Sequence, residues 1–175
     1  TTMFALLVAG YFYVRPNFTA WPPPHVNRSM AHLDPVPDLA IPTWNLALLV
    51  LTLAPMITAD RACLKRRRLM TEVALALLLV GGVGCIVLRF HEFSALHFRW
   101  DDNAYGSIVW TIVGLHLLHL IVAVLEMLMM LAWVMLKGLD DKHARDVRVT
   151  AVYWYWIVGT WIILYAIIFP GPRFF

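Results

Sequence analysis

Three polar side chains sit where the sequence is otherwise aliphatic. His116, His119 and Glu126 lie within GLHLLHLIVAVLE. His116 and His119 are three residues apart and share a helix face, and Glu126 follows on nearly the same stripe. Three kinds of chemistry compete for such a set. The histidines could ligate haem, the histidines and glutamate could pass protons, or all three could hydrogen-bond to neighbouring helices. A membrane haem needs axial histidines from two facing helices at matched depth. No other apolar stretch carries a central histidine: His91 falls at the outer end of its stretch, His143 in an inner connection, and His25 and His32 in a proline-rich segment. Packing is the reading that asks least, and Ser107, Thr111 and Gly114 add small or hydroxylated positions to the same helix. Glu126 has no opposite charge within the apolar stretches, so it is expected to be protonated or hydrogen-bonded. The methionines, Met127, Met129 and Met130 among them, read as lipid-facing or core filler rather than a copper site.

The elements that position these groups follow from composition. The chain has 175 residues, 61% hydrophobic and 14% charged, against roughly 45–50% and about 25% in a soluble domain. Its mean hydropathy is +0.72. The expected fold is all-α, a polytopic membrane bundle of about five transmembrane helices in a single domain over 1–175, with spans near 1–14, 43–62, 70–88, 105–136 and 149–169. The first is short, which suggests a helix that starts upstream. A proline-rich connection, Arg15 to Pro42, follows it, and Trp21 suits an interfacial anchor there. Gly81-Gly82-Val83-Gly84 lets another helix approach the third span closely or bends it. Residues 89–103 read as an outer loop and 137–148 as an inner one.

Charge orients the spans. The connection around Arg61 to Arg68 holds five Lys/Arg and that from Lys137 to Arg148 four, whereas the other three exposed stretches hold five together. Basic residues collect on the cytoplasmic side, which places the N-terminus inside and the C-terminus outside. Glu72 reads as a headgroup-level partner for the basic cluster. Cys63 and Cys85 show neither disulfide nor metal spacing, no cleavable signal peptide is visible, and no nucleic-acid partner is expected.

The stretch HEFSALHFRWDDNAYGSIVWTIVGLHLLHL resembles the central signature of subunit III of the haem-copper cytochrome c oxidases. The matching residues are Glu92-Phe93, Tyr105-Gly106-Ser107, and Gly114 to His119. The last span, AVYWYWIVGTWIILYAIIF, resembles the family's final helix through Trp154 and Trp161, and MFALLVAGYFYVRP followed by WPPP resembles its early helix and loop. The chain departs from the family at Thr1, Tyr155, Val158 and Arg148, where acidic residues or a histidine are usual. The resemblance implies a divergent five-helix bacterial form. It implies an accessory subunit of a bacterial plasma-membrane oxidase, with no catalytic residues and no cofactor in this chain. Haem and copper are expected in a catalytic subunit I and a copper-bearing subunit II, and bound phospholipid is expected here. By the same resemblance Glu92, Tyr105, His116 and Trp154 are structural polar positions, with His119 and Glu126 added on their depth. The alternatives are the equivalent subunit of a quinol oxidase or nitric oxide reductase, and a dihaem b-type anchor that carries electrons itself.

Overall fold

A computed structural model describes residues 1–24, 36–94 and 96–174. His25, His32 and Arg28 of the proline-rich segment lie outside the described residues. Among the described residues the regular structure is entirely helical: α1 (Thr2–Val14), α2 (Ala40–Leu51), α3 (Leu53–Leu64), α4 (Arg68–Ser94), α5 (Ala104–Lys137) and α6 (Asp141–Ile168), with short 3₁₀ turns at Arg15–Asn17 and Gly171–Arg173. Among the described residues, four segments are long and apolar enough to cross a membrane: Ala40–Leu64, Arg68–Ser94, Ala104–Lys137 and His143–Arg173. α1 is too short to count among them.

The expected second span is one crossing made of two helices. α2 and α3 break at Thr52 because Pro55 has no N–H to give the Leu51 carbonyl and its ring crowds that turn. The Thr52 hydroxyl turns back to donate to the Leu49 carbonyl at 2.5 Å. The third span is longer than expected. α4 runs unbroken past its glycines to Ser94, so Arg89 and Glu92 are helical rather than in a loop. The last helix also begins earlier, at Asp141, because the polar run after Asp140 contains no Gly or Pro to stop it. The connection between α5 and α6 is therefore only the few residues around Gly138, whose φ of +84° ends α5. At the other end of α5, the Asn103 side chain accepts from the Gly106 N–H at 2.8 Å, an N-cap.

The α2/α3 crossing packs on α4 and α6, and α5 packs on the same two, closing a ring of four; α1 lies along α5. Trp154 of α6 fills the centre. Its indole is buried, its Nε1 donates to the Thr52 hydroxyl at 3.0 Å, and a Cβ on Gly82 would come within 3.3 Å of its ring. The glycines of α4 serve close approach: a Cβ at Gly81 would meet Thr52 Cγ2 at 2.8 Å, and one at Gly82 would meet Val124 Cγ2 at 2.7 Å. The outward faces carry exposed aliphatic residues such as Leu77, Val80 and Leu125, as a lipid-facing surface requires.

Candidate functional site

The buried polar groups converge at the end of the ring opposite the basic connection between α3 and α4, where four helices each contribute. Arg89 and Glu92 lie one turn apart on α4 and point to the same side. Both are fully buried. Arg89 Nη1 donates to Glu92 Oε1 at 2.8 Å and Oε2 at 2.9 Å, and Asn45 Nδ2 of α2 donates to Oε2 at 2.9 Å. A carboxylate here is affordable only with donors of this kind around it. The guanidinium lies over the ring of Trp161 from α6, with Cζ 3.5 Å from the centroid, a cation–π contact out of water's reach.

His116 of α5 closes the cluster. Its Nε2 lies 3.2 Å from the Ile157 carbonyl of α6, and its Nδ1 lies 3.5 Å from Arg89 Nη2. The carbonyl can only accept, so Nε2 carries the proton and Nδ1 offers its lone pair to Arg89. The imidazole also packs on Trp161, ring centroids 4.5 Å apart. Both ring nitrogens are thus engaged, which leaves His116 no free lone pair for a haem iron. Among the described residues, no group of three or more His, Cys, Asp or Glu side chains is arranged to hold a metal ion.

The other sequence-derived positions lie elsewhere. His119 does not reach across to another helix: its Nδ1 meets the Leu115 carbonyl of its own helix at 2.7 Å. A step of three residues turns it about 60° from His116, so it faces Phe4 of α1 and Trp156 of α6, at ring distances of 5.4 Å and 5.3 Å. Glu126 accepts from the Thr150 hydroxyl of α6 at 2.6 Å. Tyr105 is buried in an aromatic group with Tyr11, Trp21 and Phe98, centroids 5.9, 4.9 and 5.1 Å away. Trp21 therefore packs inward, donating to the Tyr11 hydroxyl at 3.0 Å, instead of serving only as an interfacial anchor. Glu72 pairs with Arg68 at 2.7 Å, and Arg68 also donates to the Met135 carbonyl at 2.8 Å, tying α4 to the end of α5.

Sequence reasoning missed three members of the cluster. Arg89 falls within the stretch expected to be an outer loop, Asn45 carries no signal of its own in the sequence, and Trp161 stands out only through the resemblance of the last span to the family's final helix. The Arg-x-x-Glu spacing at the end of an apolar run was the available signal, because i,i+3 ion pairs let a helix continue through charged residues.

The chain matches the family model described as cytochrome c oxidase subunit III over residues 4–170. Cytochrome c oxidase subunit 3 of Petromyzon marinus is 27% identical over 163 residues, covering 92% of this chain and 62% of that protein. The Pongo pygmaeus subunit is 25% identical with the same coverage of both. The Spodoptera frugiperda subunit is 24% identical over 149 residues, covering 85% of this chain and 97% of that protein. The chain thus spans about 62% of the length of the first of these relatives.

Proposed function

The chain belongs to the cytochrome c oxidase subunit III family, and from that membership we propose that it is the accessory, non-redox subunit of a haem-copper terminal oxidase in a bacterial plasma membrane. In this role it packs beside the catalytic subunit I and the copper-bearing subunit II. Those partners hold haem and copper, pass electrons from cytochrome c to oxygen, and pump protons. This chain stabilises the assembly, holds phospholipid and supports proton uptake. The observation that carries the reading is the extent of the family match, over residues 4–170. The engaged state of His116 supports it, since neither ring nitrogen is left for an axial bond.

The proposed orientation puts the N-terminus in the cytoplasm. Arg89 is no loop charge, so the contrast between the basic side and the opposite side is sharper than the raw count suggests.

Purification of the tagged chain from its native membrane tests the role. A co-purifying haem-copper complex that consumes oxygen with reduced cytochrome c is the expected result. Oxidation of quinol instead would assign the complex to a quinol oxidase. A haem Soret band on the isolated chain would overturn the accessory role in favour of an electron-carrying anchor.

A further inference from the structure

The break at Thr52 opens a groove on the lipid-facing side of the ring. It has a volume of about 500 Å³ and lies between α2/α3 and α4, lined by Leu48, Ala54, Thr58, Met70, Val73 and Gly81 among others. The volume falls in the range of ligand pockets, roughly 300–1,000 Å³. From Gly81 to Met70 the groove follows eleven residues of α4, about 16 Å at 1.5 Å per residue. That length is close to one leaflet's half of a hydrocarbon core about 30 Å thick. At Met70 and Val73 it runs on into a second hollow bounded by Arg67, Arg68 and Leu69. Arg68 is already held by Glu72 and the Met135 carbonyl. The exposed side chains of Arg67 and Lys65 make no hydrogen bond or ion pair among the described residues.

We propose that this groove holds one anionic phospholipid, an acyl chain lying between α3 and α4 and the phosphate at Arg67, with Lys65 adding positive charge from the same turn. A partner transmembrane helix, about 10–12 Å across, would run through both leaflets, whereas the groove extends over only one. A net-neutral headgroup would bring its own ammonium among Arg67, Arg68 and Lys65, where an anionic one adds only attraction. The inference deepens the lipid-holding part of the proposed function by naming the headgroup class and the place.

The test uses the purified complex, washed in detergent and reconstituted in vesicles of phosphatidylglycerol and phosphatidylethanolamine. Native mass spectrometry then counts each lipid retained. The charge variant Lys65→Gln/Arg67→Gln weakens phosphatidylglycerol retention about thirtyfold, as expected from about 1 kcal/mol for each of two cations at an anionic surface. Ala54→Trp, which fills the groove without changing charge, lowers it similarly. Phosphatidylethanolamine retention stays the same in both. Equal phosphatidylglycerol in wild type and both variants overturns the proposal. A photoreactive residue in place of Val73 gives an answer that does not depend on how those variants fold: cross-linking to phosphatidylglycerol supports the site, and cross-linking to a protein chain overturns it. If the lipid results hold but no haem-copper subunits co-purify, the oxidase reading fails while the lipid site stands.

Discussion

Arg89 and Glu92 form a two-pronged ion pair, 2.8 and 2.9 Å long, with both side chains entirely buried between four membrane helices. Their charges cancel locally, and Asn45, His116 and Trp161 take up much of what hydrogen-bonding and cationic capacity remains. The pair therefore links α4 to α2, α5 and α6 at one level. It makes the assembly of the ring depend on a correct register among all four.

Removing one partner should hurt more than removing both. Glu92→Ala leaves the Arg89 guanidinium buried without its counter-charge, at a cost of about 3–5 kcal/mol. The double substitution Arg89→Met/Glu92→Leu restores an apolar fit and recovers most of that loss. Thermal unfolding of the detergent-purified complex, with the yield of assembled complex alongside, checks the order; a double variant less stable than Glu92→Ala would refute it.

At the centre of the ring, Trp154→Phe loses the bond to Thr52 and leaves a cavity where the outer part of the indole had packed. Thr52→Val loses the same bond from the other side. Thr52→Val should lower stability by about 1 kcal/mol and Trp154→Phe by more because of its cavity, and the double variant by little more than Trp154→Phe alone, since both remove the same hydrogen bond. A double-mutant cycle on melting temperature measures this directly.

The glycines should split into two groups. A Cβ at Gly106 would collide with the backbone carbonyl of Arg99, and that carbonyl cannot move without rebuilding the loop that covers the start of α5. Gly82 faces the stiff side chain of Val124. Gly10 and Gly159 have open space where a Cβ would go. Alanine at Gly106 or Gly82 therefore reduces assembled complex, whereas alanine at Gly10 or Gly159 leaves it unchanged or slightly raised, as helix propensity favours. Membrane yields of the four variants check the division.

Glu126 has a partner in Thr150, and glutamine keeps a carbonyl oxygen for that hydroxyl. Glu126→Gln is therefore expected to assemble normally and to leave oxygen consumption and proton ejection unchanged in vesicles. Slower turnover in a normally assembled complex would instead make this carboxyl a proton carrier.

Much of the molecule was legible before any coordinates. Long apolar runs have no solution but helices in a bilayer, because every backbone donor and acceptor must be satisfied within its own segment. Local chemistry therefore marked the four long crossings, the short first helix and the Glu72 contact with the basic cluster. Helix ends were less secure. Arg89 and Arg148 read as loop charges because side chains of that kind usually end a span. Glu92 lies one turn from Arg89, but its burial depends on Asn45, His116 and Trp161 from other helices, and nothing local announces Asp60, 3.5 Å from Arg148. The histidines show the same limit. Sequence spacing placed His116 and His119 on one face of one helix, which is true of the backbone. Only the packing of α1, α4 and α6 around that helix gave His116 to the polar cluster and turned His119 toward an aromatic groove, because a 60° difference in direction is enough to meet a different neighbour.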